Sequence, residues 1–151
     1  MKRTLYGFAA GALSVFVAVT SFNMAVMVVD REPPITYQGA HALADQVDQG
    51  GTIEVEYKVF RSRICPVAAK RWLYDAAGQR HSVPQYTVGA DVTAGRETYR
   101  RTITIPPSAA IGPAWYEVVL DYTCNPLQRL IGGPQVTSPP VRFSIVPGRA
   151  P

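Results

Sequence analysis

Two cysteines, Cys65 and Cys124, and two histidines, His41 and His81, are the side chains of this 151-residue chain best suited to nucleophilic, redox or metal chemistry. A cysteine nucleophile needs a base beside it, and no motif ties either histidine to either thiol. A zinc site needs about four ligands; two Cys and two His could supply them, but their spacings match no zinc pattern. Glu54 and Glu56 stand on one face of an alternating stretch, about 7 Å apart if that stretch is a strand. That spacing would suit a pair of glycosidase carboxylates, but two acids on a solvated strand face ordinarily serve solubility. G-x-S-x-G, H-E-x-x-H and P-loop motifs are absent. The expectation is a protein that is not an enzyme, with no cofactor and no metal. What remains for the cysteines is pairing, which depends on the compartment the chain occupies.

The compartment is read from Leu5 to Val29, an uncharged run of 25 residues preceded by Lys2 and Arg3 and closed by Asp30-Arg31-Glu32. A helix rises about 1.5 Å per residue, so about 20 apolar residues cross a hydrocarbon core. Basic residues on the N-terminal side stay in the cytoplasm. The run therefore predicts a signal anchor over residues 5–29, with 1–4 cytoplasmic and 30–151 exported, periplasmic or extracellular. The competing reading is a cleaved secretory signal, with a site near Val17-Ala18-Val19, but such signals carry apolar cores of only about 7–15 residues. Gly7 and Gly11 form a GxxxG pattern that would let two helices pack closely in a homodimer. Met24 and Met27 read as lipid-facing bulk rather than copper ligands.

The exported part carries 13 Lys/Arg against 11 Asp/Glu, so the calculated pI of 9.3 is a weak pointer to an anionic partner. Nucleic-acid binding is disfavoured, because no basic stripe is interleaved with aromatics. Thirteen prolines, twelve glycines and the lack of a second long 3.6-residue period point to an all-β domain. Asp30–Pro34 reads as a stiff tether. Strands are expected at Ile35–Tyr37, Thr52–Phe60, Val67–Tyr74, Val83–Val88, Thr98–Ile105, Ala114–Cys124 and Val141–Val146. The clearest is Thr52–Phe60, where Ile53, Val55, Tyr57 and Val59 alternate with polar residues. About seven short strands between turn signals argue for a sandwich or barrel.

Gly112-Pro-Ala-Trp-Tyr116-Glu-Val118 resembles the G-x-x-x-Y-x-V opening of strand F in immunoglobulin-like domains. Trp72 on the third strand and Cys124 on the sixth suit the same likeness, which covers residues 35–146 and leaves 147–151 as a tail. Cys65 departs from the family pattern by lying just past the second strand instead of within it. The resemblance implies a sandwich in which the second and sixth strands end at the same pole, so Cys65 and Cys124 would meet there. An anchor followed by one such domain carrying C-N-P-L-Q also looks like short tailed-phage proteins, a likeness that brings no established activity.

From Lys58 to Tyr74 there are five basic residues and no acid, and after Asp121 only Arg129, Arg142 and Arg149 are charged. In the implied topology Arg61, Arg63 and Arg129 fall in loops at the cysteine pole, which the short tether holds against the membrane. With Leu127, Leu130 and Ile131 they are expected to rest on anionic lipid headgroups or to grip an envelope or virion protein. The resulting expectation is a non-enzymatic, membrane-tethered binding or scaffolding module. A secreted or virion-associated β-sandwich and a small periplasmic enzyme are the alternatives.

Overall fold

The computed structural model describes residues 2–88 and 93–148. Helix α1, Lys2–Val29, opens the chain. It has no proline to interrupt it, and it stops where Asp30 N–H makes a last bond to Val26 O (3.0 Å) and two prolines follow, which cannot continue a helix. Gly11–Val29 is long and apolar enough to cross a membrane, and none of it is buried against the rest of the protein. Gly7 and Gly11 both lie in α1. Met1 of the expected cytoplasmic segment and residues 149–151 of the tail lie outside the described residues.

Among the described residues nine strands follow: β1 Ile35–Ala42, β2 Gln46–Asp48, β3 Thr52–Arg61, β4 Val67–Tyr74, β5 Arg80–Val88, β6 Gly95–Thr104, β7 Gly112–Tyr122, β8 Gln135–Thr137 and β9 Val141–Val146, with a four-residue helix, α2 Gln128–Ile131, between β7 and β8. The count exceeds the seven expected because β2 and β8 are only three residues long. Each offers one inward apolar residue, Val47 or Val136, too little for a period-2 signal, and each is held by pairing with β9 or β7. Strand β5 begins before Val83 and tolerates Pro84 because the β4–β5 register shifts at that point, so no ladder bond is lost there.

One sheet has the order β1-β3-β6 and is wholly antiparallel; the other runs β2-β9-β7-β4-β5, with β8 also on β7. Strands β9 and β8 take successive halves of β7, opposite residues 112–116 and 119–121. The two sheets share one core, to which β3 gives Ile53, Val55, Tyr57 and Val59, and β7 gives Tyr116, Val118, Leu120 and Tyr122.

Two arginines also turn inward. Arg61 continues the buried side of β3 and is only 7% exposed; it pairs with Glu97 on β6 at 3.0 Å. The expectation that Arg61 belongs to an exposed basic rim is therefore corrected. Arg71 takes the inward side of β4 between Ala69 and Leu73. Its guanidinium donates to the Tyr116 hydroxyl, to Pro84 O and to Thr102 O, joining the two sheets through a cation whose burial would be costly without such partners. Trp72, which the family resemblance would put in the core, points to the opposite face, half-buried under Arg80.

Candidate functional site: the helix–domain junction

The end of α1 does not hang from a loose tether. Asp30–Pro34 is gripped by two loops that are distant in sequence, Ser62–Pro66 after β3 and Thr123–Pro134 after β7. Arg63 forks onto Asp30, Nη1 donating to Oδ2 at 3.0 Å and Nη2 lying 2.8 Å from Oδ1. It also donates to Glu32 O at 2.6 Å. Such a fork is the stronger kind of ion pair because both guanidinium edges are directed. The Arg63 hydrogen bond is the largest influence on Asp30 and holds its carboxyl below the usual range despite partial burial.

The second loop is built by Cys124-Asn125-Pro126-Leu127-Gln128. Gln128 is 2% exposed, and its amide works in both directions. Oε1 accepts from Cys124 N–H at 2.7 Å, while Nε2 donates to Asp30 O at 2.7 Å. Asn125 Oδ1 accepts from Gln128 N–H at 3.1 Å, and its Nδ2 donates to Met27 O at 3.1 Å. Met27 O is one of the last carbonyls of α1, which have no partner within the helix, so Asn125 caps the helix from the far end of the chain. Arg31 completes the grip by donating to Gly132 O at 2.6 Å. The disulfide Cys65–Cys124, Cα to Cα 4.8 Å, joins the two loops. Each cysteine therefore stands within two residues of a gripping side chain.

Close packing makes Gly133 obligatory here. A Cβ at that position would lie 1.8 Å from Tyr122 O and 3.1 Å from Gln128 Oε1. Gly133→Ala is therefore expected to cost about 3 kcal/mol or to push the loop off β7. A thermal melt, with amide exchange at Gln128 and Cys124, reads the effect; an unchanged melting temperature would refute it.

The residues singled out from the sequence divide into three groups. Arg63 faces the junction but is spent on Asp30 and Glu32. Arg129, Leu130 and Ile131 are exposed on α2, Leu130 at 84%, while Leu127 is half-buried. Arg61 lies inside. Ile64, beside Cys65, is also exposed at 49% and joins the apolar residues of this pole; its place in a basic loop hid it. Elsewhere, Glu56 pairs with Arg100 at 3.0 Å and lies 3.9 Å from His41, and His81 is held by Asp75 at 2.8 Å. Among the described residues no three His, Cys, Asp or Glu converge as a metal site would require.

No protein-family model matches the chain, and no curated protein matches it. Among solved structures it is similar to the Pseudomonas fluorescens alkylpurine DNA glycosylase AlkC bound to DNA containing an abasic site analog, at 11% identity and a TM-score of 0.46. The match covers 84% of this chain and 33% of that one, so the chain spans about a third of that protein's length. A likeness at this level carries no argument about activity.

Proposed function

We propose that the chain is a single-pass, membrane-tethered binding or scaffolding module, N-terminus in the cytoplasm, presenting an immunoglobulin-like β-sandwich on the other side. The observation that carries this reading is the junction: an apolar helix exposed from Gly11 to Val29 whose last turn is locked into one pole of the domain by Arg63, Asn125 and Gln128. Among the described residues the helix's apolar sides have nothing packed on them, and such a surface needs an apolar medium. Lys2 and Arg3 set its direction, and a disulfide suits an oxidising compartment. The sheet orders, with the split partners of β7 and the three-residue strand β2 paired parallel to the last strand, β9, support the immunoglobulin-like reading.

In this reading the grip replaces a flexible linker by a fixed angle. Arg129, Leu130, Ile131 and Ile64 are then held at the level of the headgroups, where they meet lipid or a membrane partner. Two copies meeting at Gly7 and Gly11 would form a homodimer. The test is a crosslinking pull-down of the full-length protein from native membranes, beside the double variant Arg129→Glu, Leu130→Asp. One dominant partner lost in the variant is the expected result. Capture unaffected by the variant would move the binding face away from this pole, and recovery of lipid alone would overturn the protein-binding role.

A further inference from the structure

Both tryptophans of the chain stand on one outer face of the larger sheet, far from the junction. The register sets Arg80, Tyr74, Trp115 and Arg142 opposite one another on β5, β4, β7 and β9. Three steps between neighbouring strands make this row about 14 Å long. Tyr74 and Trp115 lie with parallel rings, centroids 4.9 Å apart and planes 7° apart. Beside them, the Arg80 guanidinium lies 4.3 Å over the Trp72 ring. Trp115 is 37% exposed. Arg80 and Arg142 have no acidic partner among the described residues, whereas nearby Lys70 is paired with Asp121 at 2.8 Å. The Glu117 carboxylate on the adjoining row is turned to the Tyr74 hydroxyl, 3.1 Å away.

We infer that this row binds an anionic polysaccharide, its sugar C–H groups packing against the stacked Tyr74–Trp115 pair and its carboxylates taken by Arg80 and Arg142. Guanidinium forks match carboxylates in shape as well as charge, and parallel aromatic rings offer a rigid apolar surface at little entropic cost. The bilayer is not the occupant: Trp115 sits seven residues along β7 from Tyr122, roughly 24 Å from the junction end. A folded protein would need an apolar centre several rows deep, about 800 Å² on each side, and here Ser82 and Glu117 adjoin the aromatic strip. Nucleic acid carries a charge every 3–4 Å or so along each strand, too dense for two cations with the Glu117 carboxylate on the adjoining row. A polymer with one carboxylate on every second sugar is sparse enough in charge for two cations to serve it. The chemistry is independent of the membrane reading and adds a second surface at the opposite end of the domain.

Because Trp72 and Trp115 are the protein's only tryptophans, their emission reports this face alone. The full-length protein, held in detergent micelles, is titrated with an alternating glucuronate–N-acetylglucosamine hexasaccharide. The controls are a neutral N-acetylglucosamine oligomer and a thymidine oligonucleotide. A saturable emission change with the first probe alone is expected, weakened about tenfold or more in Arg80→Glu, Arg142→Glu, as loss of two charge-assisted contacts implies. Lys70→Glu, outside the row, should bind as the parent does. No saturable change with the hexasaccharide, an equal response to the neutral oligomer or the oligonucleotide, or full binding by the double variant would each overturn the inference.

Discussion

Replacing both cysteines by serine is expected to lower the stability of the domain by about 4 kcal/mol, the chain-entropy value for a loop of this size. The bridge spans 59 residues and links the end of β3 to the end of β7, so the unfolded chain regains a long loop's freedom when it is removed. A typical domain is stable by only about 5–15 kcal/mol, which makes this loss a large fraction of the total. The effect should also be regional. Cys65 lies two residues from Arg63 and Cys124 beside Asn125, and both of those side chains hold the end of α1. Amides at Met27–Asp30 and in the Thr123–Pro134 loop should gain exchange before the β3 and β7 ladders do. Urea titration of the Cys65→Ser, Cys124→Ser protein against the oxidised parent measures the first effect. A midpoint difference worth less than about 1 kcal/mol would show that the grip, and not the bridge, constrains the pole.

The second large effect belongs to the opposite pole. Asp75, 1% exposed, closes β4 and receives four donors. Oδ1 accepts from Ala77 N–H at 3.0 Å and Gln79 N–H at 2.9 Å. Oδ2 accepts from Ala110 N–H at 2.9 Å and His81 Nε2 at 2.8 Å. One carboxylate thus ties the β4–β5 turn to the loop before β7. Burial alone would raise its pKa. The hydrogen bonds, Ala110 N–H foremost, outweigh burial and bring the carboxyl down from 3.8 to about 2. Since the folded value is depressed, the stabilisation is fully present above the unfolded pKa near 4 and is lost as pH falls through 2. It amounts to about 2 kcal/mol. Asp75→Asn keeps the size but turns one acceptor into a donor, stranding buried N–H groups at a cost of roughly 2–4 kcal/mol. Urea midpoints between pH 5 and 2 should fall less steeply in Asp75→Asn than in the parent. Equal slopes would mean that another carboxylate governs acid lability.

Local pattern made much of this architecture legible. The uncharged run from Leu5 to Val29 needs only its own composition to be helical and apolar. Strands β3 and β7 are long enough to repeat the two-residue alternation four times, so their buried faces follow directly. Arg71 was readable on the same grounds, since it falls on the inward beat of its strand; Arg61 continues the beat of β3 one residue past the expected end at Phe60, and charge, read as exposure, masked both. Strands β2 and β8 were not readable, because three residues carry no period and their pairing is supplied by β9 and β7. Trp72 shows the limit of family likeness: its neighbour Arg71 holds the inward position, and the indole goes to the surface.

By itself the sequence determined the apolar helix, the all-β character of the rest and the two cysteines available for pairing, because composition and alternation act within a few residues of chain. Tertiary structure alone decided that Asn125 and Gln128 would cap a helix about 100 residues upstream, that Arg63 would be spent on Asp30, and that Arg80, Tyr74, Trp115 and Arg142 would form one row. Those arrangements depend on strand register and on loops converging at a pole. Both are set by the packing of two sheets around a shared core, which no stretch of the chain encodes on its own.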